Sequence, residues 1–308
     1  MKMPTENFFK SLQDYLDEHP CETEEELNRL MQEFSQKYNA SVMAAPSLTE
    51  KTATTADDYL ELSGEAPTKK KALMYAQKAL ALEPDHLDAA LAVTELSAQT
   101  PNELFEGMQA LREKATAQME EQGWFDEENI GEFYSILETR PYMRVLEKYA
   151  DVAMKFGMNR LAAATCEEML RLCPNDNLGA RYSLMHVYAL LEEEPKAAAL
   201  MKQYINDGSS QMLLPLSILY FKLNDREKAE QYLKRLAEVN KDTKRFIEAV
   251  AKDKMDSIMQ EAGVMGYRPD TIEEYIEQVN NYTYLFVTSA AYFDWALTKL
   301  KKTKKKKS

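Results

Sequence analysis

A chain of 308 residues is long enough to bury a large core, as two compact domains or as one elongated repeat array. Only 9 glycines and 11 prolines interrupt a background of good helix formers, and no Asn-Gly or Asp-Gly turn lies between alternating apolar runs, so helices are expected and sheets are not. The net charge is −13 although six lysines lie in the last eight residues, and such an acidic body repels nucleic acid and anionic membrane.

The first fifteen residues carry acids in their early turns and no apolar run of signal-peptide length, so export is not indicated. Helices near Glu6–Glu18 and Glu24–Tyr38 make a helical pair in residues 1–40. Residues 41–55, rich in Ser, Thr, Ala and Pro, read as a linker, residues 56–300 as a repeat domain, and residues 301–308 as a disordered lysine-rich tail.

Within the repeat domain, Ala72, Ala76 and Ala79 lie on one helical face ended by Pro84, and Ala56, Tyr59, Leu60 and Ser63 form the matching face of the helix before it. Two helices in roughly 34 residues, with small residues at their crossing and a proline after the second, define a tetratricopeptide unit. After helices His86–Ala98 and Asn102–Gln122 comes a connection through Gly123, Trp124 and Phe125. The clearest unit, Met143–Asn175, brings in Leu146, Tyr149, Ala150 and Ala153, turns at Gly157, and returns with Ala162, Cys166 and Met169. Further pairs follow as Leu178–Leu191 with Lys196–Ile205, and Leu213–Leu223 with Asn224–Asn240. From Ala162 to Ala229 is 67 residues, close to two periods, so these units are contiguous. Thr243–Tyr267 reads as a second irregular region of one or two helices, and Thr271–Val279 as a last helix behind Pro269. The expected fold is therefore all-α, a right-handed superhelical solenoid of tetratricopeptide-like helix pairs with irregular insertions.

Residues with reactive chemistry are few. His19, His86 and His186 have no metal-ligand spacing, and no phosphate-cradling glycine loop or nucleophile elbow occurs. Cys21, Cys166 and Cys173 are an odd number without zinc or redox spacing, which points to reduced thiols in a cytoplasmic protein. The longest uncharged stretches are too short and too polar to span a bilayer. No catalytic residue, metal or cofactor is expected.

A solenoid works through the groove lined by the first helix of each pair. In normal repeat geometry Arg144, Glu147, Asp151 and Lys155 project into that groove, followed in the next unit by Leu178, Arg181, Met185 and Tyr188. Arg140, Tyr142, Arg144, Arg181 and Tyr188 then form a positive, aromatic-flanked site suited to a carboxylate, and the expected partner is a protein or peptide with an acidic or C-terminal segment. The alternative role of these arginines is to pair with Glu138, Glu147 or Asp151 and hold adjacent repeats in register. Asp176 and Asn177 are expected to cap the helix that follows. A rival functional reading is an enzyme or small-molecule sensor with a pocket built from the segments around Trp124 and Thr243–Tyr267.

The segments LETRPYMR (Leu137–Arg144), RLCPNDNLGARY (Arg171–Tyr182) and GYRPDTIEEYIEQ (Gly266–Gln278) together resemble bacterial tetratricopeptide proteins related to the suppressor-of-tumorigenicity family. The resemblance covers most of Thr55–Trp295. It implies the helical-repeat fold and a cytoplasmic setting, and no reaction.

Overall fold

The computed structural model describes residues 4–21, 23–44, 48–262 and 268–305, among which lie seventeen α-helices and no strand. Two compact units, Met1–Tyr149 and Ala150–Ser308, divide the chain inside the seventh helix.

The first unit opens with α1 (Pro4–Glu18) and α2 (Glu24–Ala44), an antiparallel pair closed by Leu12, Leu30 and Phe34, with Phe8 against Phe34 and Tyr38. Of the expected linker 41–55, Ala44 still belongs to α2, residues 45–47 lie outside the described residues, and Ala53 packs against Leu62 and Tyr75. Next come α3 (Ala56–Gly64) and α4 (Lys69–Leu82), then α5 (Leu87–Ser97) and α6 (Pro101–Glu121). The starts of α3, α4 and α6 are fixed by Thr55, Thr68 and Thr100, each accepting from a backbone N–H three residues on. Ala56, Ala79 and Ala89 meet at the crossing of α3, α4 and α5, where larger side chains would hold the backbones apart. The connection after α6 is packed: Phe133 is fully buried with Phe125 and Tyr142 around it. It leads into α7 (Arg140–Lys155).

The second unit contains the end of α7, then α8 (Asn159–Leu172), α9 (Ala180–Leu191), α10 (Glu194–Gln203), α11 (Ser210–Lys222), α12 (Arg226–Val239), α13 (Thr243–Ala251) and α14 (Met255–Ala262). One turn recurs. Gly157, Glu192, Asn224 and Asp253 each take a left-handed backbone between the two helices of a pair. At each, the next residue donates its N–H to the carbonyl five residues back: Met158 to Ala153, Glu193 to Tyr188, Asp225 to Tyr220, and Lys254 to Ala249. This closure satisfies the last carbonyl groups of the first helix and turns the chain back on it. Five residues after the first three of these turns stand Ala162, Ala197 and Ala229, all without exposed surface, so the crossing position is kept small.

The described part of Thr243–Tyr267, expected as one or two irregular helices, contains two helices that keep this register. α13 and α14 are joined by the same turn, while residues 263–267 lie outside the described residues. The chain then continues as α15 (Ile272–Asn281), α16 (Thr283–Val287) and α17 (Ala290–Lys305). Helix therefore extends over residues 301–305, expected to be disordered, and residues 306–308 lie outside the described residues.

Candidate functional site

Arg144 lies one turn into α7 and is only 7% exposed. Its guanidinium forms a double fork. Nε and Nη2 donate to Asp88 on α5 at 2.7 and 2.5 Å, while Nη1 and Nη2 donate to Glu6 on α1 at 2.6 and 3.3 Å. Planar Arg–carboxylate pairing of this kind fixes direction as well as distance. Burial alone would lower the pKa of Arg144, but the bonds to Asp88 and Glu6 outweigh it and raise the value, so the group stays charged.

The supporting residues come from neighbouring helix starts. Asp88 sits in the first turn of α5, where the helix dipole favours a carboxylate. His86 caps that helix by accepting from the Ala89 N–H at Nδ1, which leaves Nε2 to face Asp57 of α3 at 3.1 Å. The His86 hydrogen bond lowers the pKa of Asp57 against the opposing effect of burial, and the nearby charges of Lys10 and Arg144 act in the same direction. Four helices, α1, α3, α5 and α7, thus converge on one charge network in the first unit. Arg144's partners lie 56 and 138 residues away in sequence, rather than at the expected Glu138, Glu147 or Asp151.

The other expected site residues have different surroundings. Arg140 donates from Nε to the Tyr134 carbonyl at 2.8 Å and lies over the rings of Tyr134 and Phe9. Tyr142 is wholly buried, its hydroxyl 3.2 Å from Thr116 Oγ1, so it belongs to the core and not to a groove surface. Arg181 and Tyr188 stand on α9 in the second unit. Arg181 bridges Asp176 and Asp207, both at 2.7 Å, and Asp176 in turn accepts from the N–H groups of Ala180 and Arg181. The helix start is therefore capped by Asp176, whereas Asn177 accepts from the Cys173 thiol.

Tyr188 is 5% exposed and takes part in a device that repeats. Its hydroxyl donates to Glu167 of α8 at 2.7 Å, and Lys196 of α10 reaches the same carboxylate at 2.7 Å. One repeat later Tyr220 donates to Glu194 at 3.1 Å, with Lys228 3.8 Å from it. Both tyrosines stand four residues before a left-handed turn, the register of Ala153 and Ala249, which are also buried. The stripe Arg181, Met185, Tyr188 thus faces neighbouring helices rather than an open groove.

In the second unit the inner face of the repeats is covered. The C-terminal helices meet α9 at Ser183 and His186, α11 at Ser210 and Ser217, and α13 at Thr243 and Phe246. Tyr282 lies 3.1 Å from Ser183 Oγ and stacks on His186 with ring centres 3.8 Å apart. Gln278 donates to Ser210 at 2.7 Å, Tyr292 donates to Ser217 at 2.8 Å, and the Tyr275 and Thr243 hydroxyls are 2.7 Å apart. Tyr275, Tyr292 and Phe293 are fully buried here, each removing a large apolar surface from water. The expectation of an unoccupied face is corrected for this unit: α15, α16 and α17 occupy it.

No group of three or more metal-ligating side chains occurs among the described residues, and no described helix is long and apolar enough to cross a membrane. All three cysteines are free, and Cys166 and Cys173 are buried. The paired helices and their recurring turn define a helical-repeat protein of tetratricopeptide-like pairs. Among solved structures the chain is similar to YrrB, described as a TPR protein with an unusual peptide-binding site, at 18% identity and a TM-score of 0.42, over 61% of this chain and 88% of that one. Neither a protein-family model nor a curated protein matches the sequence.

Proposed function

We propose that the chain is a non-catalytic scaffold that holds a protein or peptide segment, and that the receiving face is that of α3, α5 and α7 in the first unit. The observation that carries this reading is the double fork on Arg144. Asp88 belongs to the repeat stack and orients the guanidinium, whereas Glu6 comes from the N-terminal pair and stands where a partner's carboxylate would bind. The reading favours an acidic segment or a free C-terminus, with Arg140 beside it. Long polyanions are disfavoured by the charge of −13. Arg181 takes the other role weighed for the arginines, holding neighbouring elements in register, here through Asp176 and Asp207.

The resemblance to bacterial tetratricopeptide proteins accords with a cytoplasmic adaptor of this kind. The enzyme or sensor alternative gains nothing from the Trp124 segment, where Trp124 donates to the adjacent Gln122 and Phe133 is core. A peptide array presenting acidic sequences with free and amidated C-termini tests the proposal. Selective retention of acidic or free-carboxylate peptides by the full chain supports it. Retention of basic peptides only, or a co-purifying small molecule with no peptide bound, would count against it.

A further inference from the structure

The second unit carries a feature that a peptide scaffold does not require. Between α13, α14 and the loop before α13 lies an open cleft of about 480 Å³, within the size range of small-molecule sites. Five of its lining residues are cations: Lys241, Lys244, Arg245, Lys252 and Lys254. One carboxylate, Glu248, stands among them, bonded to Lys252. The pKa of Glu248 is held down first by its hydrogen bond and charge interaction with Lys252, then by the charges of Lys301 and Lys244. Lys241, Lys244 and Lys254 close no ion pair with any described residue. Ser257 adds a hydroxyl on the α14 side.

Charge concentrated in this way, in a chain of net charge −13, raises the local concentration of small anions. Lysines act on phosphate as point charges, and several together neutralise a ligand with several negative groups. The cleft's volume favours a compact ligand, and the acidity of the rest of the chain disfavours an extended one. We infer that the α13–α14 cleft is a binding site for a small, multiply charged phosphate compound, distinct from the peptide-receiving face proposed on the first unit.

Calorimetric titration of the full chain with inorganic tripolyphosphate tests this. The expected result is saturable binding of one ion per chain that weakens as salt is raised. Lys241→Glu with Lys254→Glu should weaken it by at least about tenfold, while Arg171→Glu with Lys202→Glu, the same charge change elsewhere on the second unit, should leave it within about twofold. Circular dichroism checks that each variant is folded, and Lys254→Gln alone, which adds no negative charge, should give a smaller loss in the same direction. The inference is overturned by absence of binding at low salt, or by equal weakening in the cleft and control variants. It is also overturned if only replacement of the lysines after position 302 abolishes binding, or if a single-stranded oligonucleotide binds more tightly than tripolyphosphate.

Discussion

Glu6 on α1 and Arg144 on α7 are 138 residues apart in sequence and 2.6 Å apart in space, and the arginine they share with Asp88 is the most enclosed charge of the first unit's network. The two carboxylates are not equivalent: Asp88 keeps 13% of its side chain exposed and Glu6 keeps 22%. Removing Arg144 leaves Asp88 partly buried without a counter-charge, so Arg144→Ala should destabilise the first unit by about 3 kcal/mol. Glu6→Gln should cost no more than about 1 kcal/mol, because Asp88 still holds the guanidinium. Urea denaturation of both single variants and the double checks the ranking, and equal costs would contradict it.

The Tyr–Glu–Lys device predicts matched effects one repeat apart. Tyr188→Phe and Tyr220→Phe each remove a hydroxyl that donates to a glutamate of the preceding second helix and leave the ring in place. Each should cost about 1 kcal/mol, and the pair should be additive within about 0.5 kcal/mol because the sites share no partner. Chemical denaturation followed in the second unit measures both quantities.

The left-handed turns can be tested without touching a contact. A Cβ placed on Gly157 would have open space around it, so Gly157→Ala should cost about 1 kcal/mol through backbone conformation alone. Asp253→Gly and Asn224→Gly should go the other way, stabilising by a few tenths to about 1 kcal/mol, with the smaller gain at Asn224 since asparagine tolerates this region. Differential scanning calorimetry would show opposite shifts in Tm, and a loss of stability at Asp253→Gly would contradict a left-handed turn there.

His186 sets a pH dependence in the second unit. Its ring is enclosed by Tyr282 and Gln278, and burial lowers its pKa from 6.5 to about 4 against hydrogen bonds with the Tyr182 carbonyl and Gln278 that act the other way. The folded-state value is depressed, so the stabilisation is complete above pH 6.5 and is lost as pH falls toward 4. The loss should approach about 3 kcal/mol at the acid end. His186→Gln should be less stable than the parent at neutral pH and should flatten this acid limb of the stability–pH curve. An unchanged slope between neutral pH and pH 4.5 would show that another group titrates there.

The helices were legible because each crossing face repeats at helical spacing: Ala162, Cys166 and Met169 on α8, or Ala229, Leu233 and Leu236 on α12, are apolar on one side only and are buried. Thr243–Tyr267 was legible as one or two helices but not as a pair in register, because no glycine marks the turn where Asp253 takes the left-handed backbone. Register was the weak point at Tyr188. Arg181, Met185 and Tyr188 form a sound helical stripe, but the side of α9 that meets other elements of the inner face begins at Ser183 and His186, around the helix from it. Arg144 stood out as a positive charge in an acidic chain, while Glu6 and Asp88 could not be assigned to it, since nothing local links positions that only tertiary folding brings together.

In the proposed binding mode Glu6 holds the place of a partner's carboxylate on Arg144. Fluorescence anisotropy with an array-selected acidic peptide, titrated against the full chain, Glu6→Ala and Arg144→Lys, measures it most directly. Glu6→Ala should tighten binding several-fold, because the incoming carboxylate no longer competes with an internal one, and Arg144→Lys should weaken it by about tenfold or more through loss of the fork. Equal affinity in all three proteins would contradict the claim and leave Arg144 as a fastening between α1, α5 and α7.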